Sequence, residues 1–191
     1  ASKEDEAIFT DVQRATFQYF WDGAEPTSGL ARERFHVDNI YPQNDKNVVT
    51  SGGGGFGVMA ILVGIDRGFI KRDEGRQRLE KIVQFLETAD RFHGAWPHWW
   101  NGETGKVKPF SRYDDGGDLV ETSFMIQGLL CVRQYFQNGS ATEKTLATRI
   151  DKLWKEVEFD WYRNGKNALY WHWSPNHAWR MNFAVDGYNE C

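Results

Sequence analysis

The sequence predicts an all-α fold, a toroid of helical hairpins, and three observations carry that prediction. Helical periodicity recurs along the chain, and segments that are apolar on every side alternate with amphipathic ones. The apolar segments start near residues 53, 117 and 187, each introduced by glycine (Gly52-GGGFG, Asp115-GGD, Asp186-GYNE), so the unit repeats roughly every 65–70 residues. The turn from an apolar helix to its amphipathic partner is short (Gly68-FIKR, Asn138-GSA), whereas the return is long, roughly 25–30 residues. Apolar helices then form an inner ring, amphipathic helices an outer one, and all the long connections gather at one rim.

Each element has a local cause. The first helix covers about residues 4–21, with Ile8, Phe9, Val12, Phe17, Phe20 and Trp21 on its apolar side. The second, about 53–66, is almost wholly apolar from Phe56 to Ile65. The glycine run before it lacks the Lys-Ser/Thr of a phosphate-binding loop and reads as close packing of a helix start. The third, about 73–91, takes Asp73 as its cap and separates Leu79, Ile82, Val83 and Leu86 from Arg76, Glu80, Lys81 and Glu87. The fourth, about 117–137, is apolar on nearly every side from Phe124 to Val132, with Cys131 as a small core residue. The fifth, about 142–158, is amphipathic, with Leu146, Ile150, Leu153, Trp154 and Val157, and a sixth begins at Gly187. Three hairpins do not close a six-hairpin ring. Residues 1–191 therefore read as a single domain, the N-terminal half of a longer barrel whose remaining half is its partner.

Composition excludes several classes. A net charge of −4 and the absence of any basic stripe argue against nucleic acid. No apolar run reaches the roughly 18 residues of a membrane span, and no signal peptide is visible. Asn138-Gly139-Ser140 fits a glycosylation sequon but sits in a short turn. The two cysteines have neither metal nor redox spacing, and histidine pairs five residues apart (His93/His98, His172/His177) do not match helical zinc spacing. No metal or organic cofactor is expected.

Chemistry concentrates at the start of the fourth helix. Asp114, Asp118 and Glu121 follow an i, i+4, i+7 spacing, so a helix reaching back to Asp114 would project all three from one face. One acid there is explained by the helix dipole. Three beside Arg112, leading into an apolar helix, point to acid–base work, because buried carboxylates are costly unless used or paired. Glu190 stands at the mouth of the next apolar helix, and two carboxylates facing one cleft is what glycoside hydrolysis requires. The long loops hold all five histidines and seven of the nine tryptophans. Aromatic faces among polar groups suit sugar rings, which makes Trp99, Trp100, Trp171, Tyr113 and His98, with Arg34 and Arg112, candidates for holding a glycan. Arg34 is read either as solvated or as ion-paired to the rim carboxylates.

Five blocks in order, Phe20-WDGAEPTSGLARER, Ser51-GGGGFGVMAILVGIDRGFI, His98-WWNGETGK, Asp118-LVETSFMIQGLL and Asp186-GYNE, together resemble the bacterial glycoamylase-like domain family, and within it glycoside hydrolase family 144, the endo-β-1,2-glucanases. The resemblance spans nearly the whole chain. It implies an (α/α)6 barrel of about twice this length and an inverting endo-hydrolase of linear β-1,2-glucan, releasing oligosaccharides such as sophorose. It places Asp118, Glu121 and Glu190 where the family has its acidic residues, with Asp114 nearby. Glu190 is the expected general acid, and Asp118 and Glu121 are expected to position or activate water. A polysaccharide substrate implies a periplasmic, secreted or cell-surface protein. Two rivals use the same scaffold. A polysaccharide lyase would employ Tyr113, His98 and Arg112, and a non-catalytic protein would capture glycan unchanged.

Overall fold

The computed structural model describes residues 2–186 and is predominantly helical. The expected helix at Gly187, and with it Glu190, lies outside the described residues. Five helices follow in chain order: α1 Lys3–Trp21, α2 Ser51–Asp66, α3 Arg72–Thr88, α4 Leu119–Phe136 and α5 Ala141–Lys155. The turns α2–α3 and α4–α5 are short, as expected of hairpins, and no described helix is long and apolar enough to cross a membrane.

Caps fix the helix starts. Ser2 and Asp5 close a reciprocal capping box at α1, and Ser140 and Glu143 do the same at α5. The cap of α3 is Lys71, whose N–H is taken by Glu74 at 2.7 Å. Asp73, expected as that cap, lies inside the first turn and instead binds Arg76 and Gln77. α2 starts two residues earlier than its pattern suggested, so its glycines are part of the helix and do not precede it.

Those glycines let the two inner helices touch. A Cβ on Gly55 would lie 2.2 Å from the Phe124 carbonyl oxygen, and one on Gly128 would lie 2.2 Å from the Gly55 carbonyl oxygen. The backbones of α2 and α4 therefore meet without intervening side chains. Around this contact Val58, Ile61, Met125, Leu129 and Val132 belong to one buried core that also takes in the inner faces of α3 and α5. Outside, α3 and α5 are tied by Arg149 to Glu87 (2.7 and 2.8 Å) and by Arg72 of α3 to Glu143 (2.6 Å).

Three expectations about burial need correction. In α1 only Phe17 is buried, stacked on Trp21, while Ile8, Phe9 and Val12 are exposed, because no described element covers the N-terminal half of that helix. Phe56 and Val63 of α2 are likewise exposed. α4 is not enclosed all round: Gln127, Cys131 and Gln134 form an open stripe on a face that neither α2 nor α5 covers, so Cys131 is not a core residue.

The long connections share one rim and carry short antiparallel strand pairs. β1 (Val48–Thr50) pairs with β2 (Trp99–Asn101), β3 (Gly117–Asp118) with β5 (His172–Trp173), and β4 (Leu169–Tyr170) with β6 (Ala184–Val185). The first long loop is thus stitched to the second, and the second to the third.

The helix contact makes a clear prediction. Gly128→Ala should lower unfolding stability by about 1–3 kcal/mol in urea titration, since a backbone oxygen cannot rotate aside and overpacking outweighs the better helix propensity of alanine. An unchanged or raised midpoint would mean that α2 and α4 do not meet at this position.

Candidate functional site

The N termini of α2 and α4 lie side by side, and residues 96–98 are clamped between them. The Ser51 N–H donates to the His98 carbonyl at 3.2 Å, and the Ser51 hydroxyl to the Pro97 carbonyl at 2.7 Å. On the α4 side, Asp118 N–H donates to Trp96 O at 2.9 Å, and Thr122 Oγ1 accepts from the Trp96 N–H at 2.8 Å. These bonds satisfy helix-start donors that would otherwise be orphaned. They also fix where the His98 ring stands, stacked 4.2 Å from Phe110 and edge-on to Trp99.

That ring is the centre of the carboxylate cluster. His98 Nδ1 lies 3.6 Å from Asp114 Oδ2 and 3.5 Å from Asp118 Oδ2, and Nε2 lies 4.0 Å from Glu121 Oε1. The three acids therefore converge as the sequence suggested, but for a different reason. α4 begins only at Leu119, so Asp114 sits in the preceding loop, Asp118 is the N-cap and only Glu121 is helical. Asp118 Oδ1 accepts from the Glu121 N–H at 2.9 Å, and Oδ2 from the Trp171 indole at 3.3 Å. Glu121 Oε2 reaches across to α2, accepting from the Gly52 N–H at 2.9 Å and from the Thr50 hydroxyl at 3.3 Å.

The environment separates the protonation states. Burial raises the Glu121 pKa, with Asp118 adding to it, and together they outweigh His98 and the Gly52 and Thr50 bonds. Burial opposes charge on His98, but Asp114, Asp118 and Glu121 outweigh it and hold the pKa up to about 10. His172, fully buried, is the opposite case: burial pulls its pKa down despite the nearby aspartates, so it is neutral at pH 7. Its Nε2 accepts from the Gly116 N–H at 3.1 Å and stands 3.3 Å from Asp114 Oδ1. Asp114 is thus bracketed by one charged and one neutral imidazole.

Among the described residues, His98, Asp114 and Asp118 are the group whose ligand atoms lie close enough to share a metal ion, within 4.8 Å. A metal bound there would have to displace the proton that the three acids favour on His98.

Several expected site residues are elsewhere. Trp99 and Trp100 alternate on β2, so Trp99 faces the His98 side while Trp100 is fully buried, donating to Asp90 O at 3.2 Å and meeting Phe85 edge-on. Trp100 is a core residue and cannot hold a sugar, and Trp96 is buried in the same way. Arg34 pairs with Glu33 and Asp45 and makes no ion pair with the three acids. Arg112 is exposed and lies over the neighbouring Tyr113 ring, which also meets His177 edge-on. Trp171 is at the cluster through its bond to Asp118. His172, Phe110 and Thr50 were given no site role by the sequence. Tyr170, His172 and Ser174 are buried while Trp171 and Trp173 are partly exposed, the reverse of what the period-two rule reads from the sequence, where the tryptophans would face inward. A cavity of about 740 Å³ is lined by residues such as Phe159, Trp161 and Trp179 and shares none with the carboxylate cluster.

Helical hairpins that bring several carboxylates and a counter-charge to adjacent helix mouths define an acid-lined site on an α/α toroid, the kind of site on which glycoside hydrolysis is carried out. No family model matches the chain, but individual proteins do. The chain is 74% identical to an endo-β-1,2-glucanase from Chitinophaga pinensis, solved with sophorotriose and glucose, over 100% of its own length and 46% of that chain, with a TM-score of 0.96. A β-1,2-glucanase structure from Parabacteroides distasonis matches at 51% identity over 97% of this chain and 26% of that one, with a TM-score of 0.89. An exo-β-1,2-glucooligosaccharide sophorohydrolase from the same organism is 53% identical over 97% of this chain and 25% of its own length. The chain therefore resembles the β-1,2-glucanases along its whole length, as the sequence blocks indicated, and spans less than half of each of these relatives.

Glu121 offers a test of this electrostatic picture. Its raised pKa means that stability tied to its protonated form is fully present below the ordinary glutamate value of 4.5 and is lost as pH rises through the folded value. Glu121→Gln should therefore match or exceed the parent melting temperature, by about 2–4 °C at pH 8 and less at pH 4. A variant that falls further behind as pH rises would show that its partners hold Glu121 ionised.

Proposed function

We propose that the protein is a glycoside hydrolase that cleaves linear β-1,2-glucan internally with inversion, using two carboxylates and no metal. The observation that carries this reading is the convergence of Asp114, Asp118 and Glu121 on His98 at adjoining inner-helix mouths, in a chain 74% identical to an endo-β-1,2-glucanase. Inversion needs one carboxylic acid to protonate the leaving oxygen and one carboxylate to activate water from the opposite face, some 6.5–9.5 Å away. Glu190 is the proposed acid. Asp118 and Glu121 position or activate water, with Asp114 supporting them.

Trp99, Trp171 and Tyr113 are the aromatic rings proposed to hold the glucan. Each lies within or beside the cluster or its loops and is at least partly accessible. Trp100, buried in the core, is withdrawn from that role. The remaining half of the barrel is the proposed partner that completes the cleft. A polymeric substrate places such an enzyme in the periplasm, at the cell surface or outside the cell.

Two measurements test the reading on the full-length protein. Incubation with linear β-1,2-glucan should give β-1,2-oligosaccharides of several lengths, with the α-anomer appearing first by NMR, while α-1,4-, β-1,3- and β-1,4-glucans stay intact. Sophorose as the sole early product would reassign the mode to exo, and no product from any glucan would remove the hydrolase reading. Asp118→Asn should cut kcat/KM by about 10²–10⁴-fold if Asp118 serves proton transfer. A loss below tenfold would reduce it to a helix cap.

A further inference from the structure

We propose that His98 is a positioning residue, a fixed counter-charge that orients Asp114, Asp118 and Glu121 in the cleft, and neither a sugar ligand nor a proton shuttle. The kinetic part of this proposal rests on the hydrolase reading above. The physical part does not.

Geometry carries the argument. One imidazole meets three carboxylates from three places in the chain: Asp114 in the loop before α4 (3.6 Å), Asp118 at the cap (3.5 Å) and Glu121 in the first turn (4.0 Å). Among the described residues, no lysine or arginine forms an ion pair with any of these acids. His172, on the other side of Asp114, is fully buried and uses Nε2 to accept from the Gly116 N–H, so it brings no charge. The groups facing His98 from β1 and α2 are neutral: Thr50, Ser51 and the Gly52 amide are donors to Glu121 or to backbone. Phe110 and Trp99 wall the ring. His98 is thus the cation of an otherwise acidic, largely buried cluster.

Both ring nitrogens are directed at carboxylates, Nδ1 at two within 3.6 Å and Nε2 at one 4.0 Å away, the arrangement of a counter-charge shared among three acids. The ring cannot turn freely. Its backbone carbonyl is held by the Ser51 N–H, and one face is stacked on Phe110 at an interplanar angle of 10°. A neutral side chain in its place would leave three acids facing one another, and the cheapest relief is for one of them to keep a proton to higher pH.

The experiment has two arms on the full-length protein. In the first, ¹³C-labelled histidine is followed by NMR from pH 5.5 to 9, with the His98 signal assigned by its loss in His98→Gln or His98→Lys. The expected result is an imidazolium signal with no midpoint below pH 9. A midpoint near 6.5 would overturn the proposal whatever the substrate. In the second, kcat and KM on β-1,2-glucan are measured against pH. His98→Gln should move the acidic limb of kcat/KM upward by at least one pH unit and lower kcat at least tenfold, with KM changed less than threefold. His98→Lys should recover part of both effects. A rise in KM with the acidic limb unmoved would make His98 a sugar ligand instead. Loss of activity with an unmoved limb and no recovery by lysine would leave it a merely structural residue. If no glucan is cleaved, the hydrolase reading fails while the NMR arm still decides the charge of His98.

Discussion

The site depends on how closely α2 and α4 approach. Gly55 and Gly128 remove the side chains that would hold the two backbones apart, and Gly52 leaves space for the carboxylate of Glu121, whose oxygen would lie 2.2 Å from a Cβ at that position. Glu121 then bonds the Gly52 amide, an α2 donor that its own helix leaves unpaired. A single residue thus joins two hairpins at their mouths and faces the cleft. Once the mouths are fixed side by side, the segment 96–98 has one place to lie, and its hydrogen bonds to Ser51, Asp118 and Thr122 hold it there.

The same closeness creates an electrostatic problem and its remedy. Asp118 is almost completely buried, Asp114 nearly so, and Glu121 is enclosed between helices. Charges so placed are tolerated only with partners. Each acid has a different set: amide and indole donors for Asp118, the α2 mouth for Glu121, and the His98 ring for Asp114 Oδ2, while Asp114 Oδ1 is buried without a hydrogen-bond partner. Three chemically similar side chains therefore occupy three unlike environments, and groups of one kind can take unlike roles only when their surroundings push them apart.

Much of this was legible in the residues. Periodicity located the helices, and loop lengths located the rim, because both follow from local rules that the structure obeys. The acids were legible for a partly mistaken reason. The i, i+4, i+7 spacing suggested one helical face, but the tight loop at Asp115–Gly117 keeps Asp114 outside the helix and aims it inward all the same. What local pattern could not supply was the partner across the fold. Neighbouring Trp99 and Trp100 point opposite ways because a three-residue strand forms there only by pairing with β1, and nothing local marks Trp100 as core. His172 had no usable signal, since the alternation there would turn the tryptophans inward, and its contact with Asp114 depends on pairing with β3. Burial of α1 and α4 was overestimated because an apolar surface tells only that something should cover it, and the described helices do not cover every face.

The strand pairs at the rim also divide labour. Each long loop is pinned to its neighbour by a few backbone bonds near the helix mouths, while the segments between the pins are free of that duty. Changes in the loop tips can reshape what enters the groove without displacing the acids beneath. Relatives sharing half or more of these residues nevertheless carry names as different as endo-glucanase and exo-sophorohydrolase. Such a scaffold separates two duties: the paired strands keep the acids where they are, and the loop tips between them are where variation can be tolerated.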